Sequence, residues 1–288
     1  MSSWNKARYR SLVLTTDCGK EMDDQWAFMH LQRIPHFDLR AVVTTHAPNL
    51  SPPASAMAAA ECRSVLDGLP DGDPVEVIAG SSVGMCSAQT PLANPGVARL
   101  IREAHSADGR LTVLAIGAAT DVASATLLAP DIARKLDILA MGFQGPERGG
   151  DEWNVKNDPH AWRVLLASDA RITVGPALIC IERLCLTPAG ARAILPHNSV
   201  GDYLYGLWVA ANAEVALSIT GKSGSWPVWD EVVVAHLPGL TECIRSPRPV
   251  LPDDLSFASR QGDPTVDWIA SVDAAAVWHD LASRCRGI

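Results

Sequence analysis

The sequence contains no run of apolar residues as long as the 18 or so that a membrane-spanning helix needs. Its basic start is followed by the short stretch SLVL, after which polar threonines begin. That stretch is too short for the core of a secretion signal. We therefore expect a cytoplasmic protein that makes no contact with a membrane.

Basic residues are also in the minority. The chain has 24 Lys and Arg against 32 Asp and Glu, which gives a formal net charge of −8. Nucleic-acid-binding surfaces depend on basic patches, so this balance argues against a nucleic-acid partner. No G-x-G-x-x-G motif follows a predicted strand, which argues against a nucleotide-dependent oxidoreductase. A small sugar-containing ligand remains compatible with both observations.

The seven cysteines form no C-x-x-C pair and have no zinc-ligand spacing. An odd number of scattered cysteines in a chain of 288 residues is not typical of a disulfide framework. We expect free thiols and a reducing compartment, in agreement with the cytoplasmic location.

Short apolar runs alternate with helix-like segments along most of the chain. The runs are nearly continuous rather than alternating, as in a parallel sheet covered on both faces. This order predicts an α/β fold with a doubly wound, mostly parallel sheet and a helical C-terminal cap, in a single domain over residues 1–288. Strands are predicted at 11–16, 39–45, 75–79, 111–116, 137–142 and 172–180, and helices at 23–33, 54–67, 94–106, 119–128, 158–168, 199–219 and 273–284.

Polar residues follow four of the predicted strands. Asp17 follows the first of these strands, and the segment from Thr45 to Asn49 follows the second. Gly117 follows a third strand, and the segment that contains Glu152 follows a fourth. In a doubly wound sheet ligands bind at the carboxyl ends of the strands. We therefore expect these residues to share one edge of the sheet and to form the site.

The first of these segments, TTDCGKEMDDQW, holds four carboxylates. One interpretation is structural, because Asp23 and Asp24 would lie in the first turn of a helix, where acids interact favourably with the helix dipole. A helix start does not require Asp17, however. Carboxylates that converge across a short loop repel one another unless a cation holds them, and an oxygen-rich site suits Ca²⁺ first and Mg²⁺ second.

Five segments, in the same order along the chain, resemble the inosine-uridine-preferring nucleoside hydrolase family. VLTTDCGKEMDDQWA resembles its signature D-x-D-P-G-x-D-D-x-x-A, and AVVTTHAPN resembles T-T-x-x-G-N. VLAIGAATDVA is similar to the segment whose carbonyl reaches the metal. DEWNVKNDPHA resembles E-F-N-x-x-x-D-P-E-A, and VWDEVVVAH is similar to H-D-P-x-A-V-A-Y.

The resemblance implies a Ca²⁺-dependent enzyme that hydrolyses the N-glycosidic bond of a ribonucleoside or a similar ribosyl compound, and that forms a homodimer or homotetramer. It also implies a role for each matching residue. Asp17 would be the catalytic base. The metal ligands would be Asp17, Asp24, the Ile116 carbonyl and Asp230. Substrate would be bound by Asp23, Asn49, Glu152, Asn154 and Trp229.

Several residues keep a structural alternative. Asp158 precedes Pro159 as a helix N-cap would, and Asn154 could act similarly. Asp230 precedes a short helical segment and could be its N-cap. His46 is either a substitute proton donor or a loop histidine bonded to the backbone. For Asp158 we expect the helix cap, and for His46 the loop histidine bonded to the backbone.

The chain departs from the family at three places. Five residues, Cys18 to Met22, lengthen the acidic loop, and whether Lys20 or Glu21 enters the site stays open. Trp229 replaces the family's histidine and cannot act as a general acid, although it can stack on a base. The segment from Ser81 to Ala93 is short and lacks the family's lid. These departures leave a second hypothesis, a catalytically weak protein that binds ribose or ADP-ribose.

Overall fold

The computed structural model describes residues 10–19, 21–47, 53–68, 74–210, 224–258 and 262–286. The strands are β1 Arg10–Thr16, β2 Phe37–Thr44, β3 Val77–Ala79, β4 Leu111–Ala115, β5 Leu136–Met141, β6 Arg171–Gly175, β7 Cys185–Leu186, β8 Trp226–Pro227, β9 Thr241–Pro247 and β10 Thr265–Val272. The helices are α1 Asp23–Leu31, α2 Ala54–Asp67, α3 Pro95–Ser106, α4 Thr120–Leu128, α5 Trp153–Asn157, α6 Pro159–Ala167, α7 Ala177–Arg183, α8 Pro188–Ile194, α9 Ser199–Ala210, α10 Glu231–Val234 and α11 Ala274–Arg286, with a 3-10 helix at Pro130–Lys135.

Eight strands form one sheet in the order β3-β2-β1-β4-β5-β6-β10-β9. The neighbouring pairs are parallel, except that β9 runs antiparallel to β10. From β1 the chain proceeds to β2 and β3 at one edge of the sheet, and then returns to form β4 on the opposite side of β1. The strand order therefore reverses between β1 and β4, and the crevice at such a switch point is where doubly wound sheets bind ligands.

Both faces of the sheet are buried. Along β1, Leu12 and Leu14 pack into one apolar cluster, whereas Val13 packs into the other. Side chains alternate between the faces of a strand, so one continuous apolar run supplies both cores. The prediction of a doubly wound, mostly parallel α/β sheet with a helical C-terminal segment is confirmed.

The predicted strand at 172–180 is wrong in its second half. Strand β6 ends at Gly175, and helix α7 runs from Ala177 to Arg183. Pro176 separates the two elements at the N-cap of the helix. A buried strand followed directly by the apolar first turn of a helix has the pattern of one apolar run, which periodicity cannot divide.

The C-terminal third also contains two strands, β9 and β10, that were not predicted from the sequence. Helix α9 confirms the start of the helix predicted at 199–219, and residues 211–219 lie outside the described residues. The closing helix, predicted at 273–284, spans Ala274–Arg286. Among the described residues, no helix is both long enough and apolar enough to cross a membrane.

Candidate active site

The carboxyl ends of β1, β2 and β4 lie next to one another. The Thr45 N–H donates to the Thr16 carbonyl at 2.8 Å, and the Ile116 N–H donates to the Thr15 carbonyl at 2.8 Å. Gly117 passes so close to the first strand that an added Cβ would lie 2.7 Å from the Asp17 nitrogen. A residue without a side chain is therefore required beside Asp17.

Asp23 and Asp24 occupy the first turn of α1. Met22 is the N-cap and makes no side-chain cap, so the acids are not held there by a capping motif. The Thr16 hydroxyl donates to the Asp24 carboxylate and accepts from the Cys18 N–H at 3.1 Å. Strand β1, the acidic loop and α1 are thereby joined by one threonine.

Asp230 completes the cluster from the far end of the chain. One carboxylate oxygen each from Asp23, Asp24 and Asp230 lies within 4.8 Å of the others, and all three residues are buried. Asp230 is the N-cap residue of α10, but its side chain makes no capping hydrogen bond. Its carboxylate is therefore directed to the cluster, and the N-cap alternative does not account for it. Asp17 lines the same cleft, outside this group of three.

The four aspartates destabilise one another's charge. Burial is the main cause that raises the pKa of each well above its usual value, and neighbouring carboxylates add to it. For Asp17 the strongest charged neighbour is Asp23, and for Asp24 it is Asp17. Buried carboxylates without a balancing charge are unfavourable. The chemistry of this donor set therefore fits a hard divalent cation.

The Ile116 carbonyl is the oxygen that the sequence proposes as a further metal ligand. The Asn154 side-chain amide donates to it at 3.0 Å and to the Met141 carbonyl at 3.4 Å. Asn154 therefore joins the carboxyl ends of β4 and β5, and it lines the cleft together with Ile116 and Met141. It does not cap a helix.

Glu152 both caps α5 and lines the cleft. Its two oxygens accept from the Asn154 N–H at 3.1 Å and from the Val155 N–H at 3.0 Å. Burial raises the pKa of Glu152 to about 7, although these main-chain donors oppose the shift. The carboxyl is thus fixed in place by the start of α5.

Asp158 has the structural role that its position before Pro159 predicted. Its Oδ1 accepts from the Ala161 N–H at 2.9 Å, and its Oδ2 accepts from the Met85 N–H at 2.8 Å and the Thr120 hydroxyl at 2.7 Å. It thereby caps α6 and ties down the segment after β3. It is outside the residues that line the cleft.

Replacing Asp158 with alanine should lower the free energy of unfolding by about 3 kcal/mol, because one N-cap and two further buried donors lose their acceptor. Urea unfolding measures the change. Asp202→Ala, which removes an exposed partner of Arg192, is the control and should cost less than about 1 kcal/mol. Equal losses in the two variants would contradict this role for Asp158.

His46 is neither a cleft residue nor bonded to the backbone by its ring. Its Nε2 lies 3.0 Å from the Thr120 hydroxyl oxygen, and Thr120 gives its own proton to Asp158. The His46 ring must then donate from Nε2. Burial lowers the pKa of His46, so the ring is neutral. Every histidine of the chain falls within the described residues, and none of the eight lines the cleft.

The cleft has a volume of about 240 Å³. Glu21 lines it, which answers half of the question about the longer loop, whereas Lys20 lies outside the described residues, as does Asn49. Trp229 also lines the cleft. Six further lining residues were not assigned a role from the sequence: Met141, Gln144, Asp151, Trp153, Lys156 and Ala177.

A second ionic group, centred on a buried histidine, adjoins the cluster through the residue after Asp230 and was not predicted. His30 is fully buried on α1, and its Nδ1 lies 2.8 Å from Glu231, the residue after Asp230. Its Nε2 lies 2.9 Å from Asp280 on α11. The three residues are far apart in the sequence, so only the fold reveals that they meet.

Comparison with known proteins identifies the family and the fold. The family model for inosine-uridine preferring nucleoside hydrolases matches residues 12–279. The purine-preferring ribonucleoside hydrolase from Gardnerella vaginalis superposes with a TM-score of 0.79 at 19% identity, covering 96% of this chain and 98% of that one. The inosine-uridine preferring nucleoside hydrolase from Bacillus anthracis gives 0.68 at 16%, covering 97% and 100%. The type III effector protein XopQ, complexed with adenosine diphosphate ribose, gives 0.65 at 19%, covering 96% and 93%. No curated protein matches the sequence significantly.

The fold is that of a nucleoside hydrolase. The chain belongs to the inosine-uridine preferring nucleoside hydrolase family, and is therefore an enzyme of the glycosyl hydrolase type. The resemblance inferred from its five motifs is confirmed.

Proposed function

We propose that this enzyme is a Ca²⁺-dependent N-ribohydrolase that cleaves a ribonucleoside or a similar ribosyl compound to ribose and a free base. The observation that carries the proposal is the buried group of Asp23, Asp24 and Asp230, with Asp17 beside it, at the switch point of the sheet. We further propose that the chain acts as a single domain in a cytoplasmic homodimer or homotetramer.

The metal would be held by Asp17, Asp24, Asp230 and the Ile116 carbonyl. Asp23 has an oxygen within 4.8 Å of those of Asp24 and Asp230, so it either joins them or orients a ribose hydroxyl beside them. An all-oxygen set with several carboxylates suits Ca²⁺, which accepts six to eight ligands in flexible geometry. A bound Ca²⁺ would act as a Lewis acid that lowers the pKa of a nearby water. It would also fix the orientation of the sugar.

Each proposed site residue would have a distinct role in the cleavage. Cleavage of the N-glycosidic bond places positive charge on the sugar, as in other glycoside hydrolyses. Asp17 takes the proton of the attacking water. Asp23, Asn49, Glu152 and Asn154 hold the ribose hydroxyls, which supplies orientation. Trp229 stacks on the departing base.

The alternative is a protein that binds ribose or ADP-ribose and hydrolyses little. Its support is the replacement of the family's histidine by Trp229, together with the likeness in fold to XopQ, whose structure contains adenosine diphosphate ribose. The buried carboxylates argue for hydrolysis, because a purely binding site does not need Asp17 beside three further acids.

One experiment separates these functions. The protein with Ca²⁺ is incubated with inosine, adenosine, guanosine, uridine and cytidine, and released ribose and free base are measured. We expect release from at least one nucleoside, its loss in EDTA and its recovery with added Ca²⁺. Asp17→Asn, measured at saturating Ca²⁺, should lower kcat by about 10²- to 10⁴-fold, as expected for loss of a general base.

Two outcomes would overturn the proposal. If no substrate is cleaved but ADP-ribose binds in a calorimetric titration, the binding function replaces it. If EDTA leaves the activity unchanged, the metal assignment is wrong. Glu182→Gln, which removes an exposed acid on α7, serves as the control for general effects of charge removal.

A further inference from the structure

The acidic loop, lengthened by Cys18 to Met22, has both ends of this insertion in the apolar core. Cys18 and Met22 are buried in the same apolar cluster, which also contains side chains of α1 and α2. Gly19 follows Cys18 with a φ of +100°, and an added Cβ would lie 3.2 Å from Cγ of Glu61 on α2. The backbone at the start of the insertion therefore lies directly against α2, in a conformation that favours glycine.

One hydroxyl group connects the two sides of this loop. Thr16, the last residue of β1, is 1% exposed, and its Oγ1 accepts a hydrogen bond from the Cys18 N–H at 3.1 Å. The same hydroxyl donates its proton to Oδ1 of Asp24 in the first turn of α1. An N–H group can only donate and an ionised carboxylate can only accept, so the direction of both bonds is fixed. A single side chain thus holds the backbone after Asp17 and the carboxylate of Asp24.

The donor at position 18 depends on a departure from the family signature. In D-x-D-P-G-x-D-D, proline follows the aspartate that matches Asp17, and proline has no N–H to donate. Cys18 stands at that position in this chain and supplies the N–H that Thr16 accepts. The longer loop therefore begins with a backbone hydrogen bond that the common signature does not permit.

We propose that Thr16 is a positioning residue for the Ca²⁺ site, because its hydroxyl orients the Asp24 carboxylate and fixes the backbone that follows Asp17. The proposal rests on the Ca²⁺ dependence of the proposed function. Thr16 is not among the residues that line the cleft, so it acts through the two aspartates rather than on the substrate. Hydrogen-bond partners that orient metal ligands commonly change metal affinity by about 10- to 100-fold.

Calorimetric titration of the metal-free protein with Ca²⁺ tests this role. Thr16→Val removes the hydroxyl and nearly preserves the shape of the side chain, and it should raise the Kd for Ca²⁺ by about 10- to 100-fold. Thr16→Ser retains the hydroxyl and should bind Ca²⁺ nearly as tightly as the wild type. If the valine variant does not fold, Thr16→Ala replaces it, because alanine places no methyl group against Asp24.

Thr112→Val is the matched control. Thr112 lies on β4, is also 1% exposed, and its hydroxyl has no hydrogen-bond partner among the described residues. The same change of side chain at this position should leave the Kd for Ca²⁺ unchanged. Activity provides a second measurement, since Thr16→Val should recover most of the wild-type kcat once Ca²⁺ is saturating.

The possible results separate this inference from the proposed function. If the wild type binds Ca²⁺ and Thr16→Val binds it equally well, the inference is wrong and the Ca²⁺-dependent function stands. An equal loss of affinity in Thr16→Ser, or in Thr112→Val, also overturns it, because the loss then does not come from the Thr16 hydroxyl. A wild type that binds no Ca²⁺ overturns the metal assignment of the proposed function, and the inference with it.

Discussion

Replacing Asp230 with asparagine should lower kcat/KM by about 10³-fold, which corresponds to about 4 kcal/mol of transition-state stabilisation. Asp230 has an oxygen within 4.8 Å of those of Asp23 and Asp24, and its side chain caps no helix. Asparagine keeps the size of the side chain but removes the charge that a divalent cation requires. The loss should therefore come from metal binding rather than from misfolding.

Thermal unfolding distinguishes those two causes. Without metal, the folded protein must hold buried carboxylates that repel one another, so Asp230→Asn should raise the melting temperature of the metal-free protein. In the wild type, added Ca²⁺ should raise the melting temperature by mass action, and the variant should lose most of this increase. Glu182→Gln should behave like the wild type. A lower melting temperature of metal-free Asp230→Asn would contradict this account.

The pH dependence of the metal-free protein follows from the same repulsion. Folding raises the pKa values of Asp17, Asp23, Asp24 and Asp230. The folded state therefore binds more protons than the unfolded one, and stability is lost as the pH rises from the ordinary aspartate value through the raised ones. The stabilisation that Ca²⁺ provides should accordingly increase over this range.

The sheet could be predicted because its strands are short apolar runs that both faces of the sheet bury. The edge that carries the site followed from the same reasoning, since polar residues come directly after β1, β2 and β4. Helix α7 could not be predicted, because its first turn is as apolar as the buried strand β6 that precedes Pro176. Strands β9 and β10 went unrecognised among the helices of the C-terminal third.

The residues around Asp230 left its role open. An aspartate before Glu231–Val234 has the sequence of an ordinary N-cap, and it was the family resemblance that placed Asp230 at the metal site. Its distance to Asp23 and Asp24 now shows that it joins the cluster. Asp158 presents the opposite case, because its N-cap signal was sufficient and the structure confirms it. Local sequence patterns predict contacts between residues a few positions apart. Contacts between residues that are distant in the sequence become visible only in the folded structure.

His30 illustrates this limit and has a large effect on stability. Burial disfavours its charge, but Glu231 and Asp280 outweigh this cost and raise the pKa of His30 to about 9. The charged ring joins α1, whose first turn holds Asp23 and Asp24, to α10, which begins after Asp230. It also joins both to α11 through Asp280. The ion pairs therefore connect the two elements that supply the acidic cluster.

We expect the free energy of unfolding of the wild type to decrease by about 3 kcal/mol between pH 6.5 and pH 9 or above because of His30. Because folding raises the pKa of His30, the folded state keeps a proton between about pH 6.5 and pH 9 that the unfolded state has released. The contribution is therefore complete below about pH 6.5 and is lost as the pH rises through about 9. Urea unfolding at intervals of one pH unit, with Ca²⁺ present throughout, measures the change.

His30→Gln should remove most of this pH dependence and destabilise the protein near pH 7 by about 3–5 kcal/mol, because the buried Glu231 loses its cationic partner. His279→Gln, on the same helix as Asp280 but exposed, is the matched control and should retain the wild-type profile. If all three proteins lose stability in parallel between pH 6 and pH 10, His30 is not the group that titrates. If His30→Gln alone has a flat profile, the ion pairs that join α1, α10 and α11 stabilise the fold on which the position of Asp230 depends.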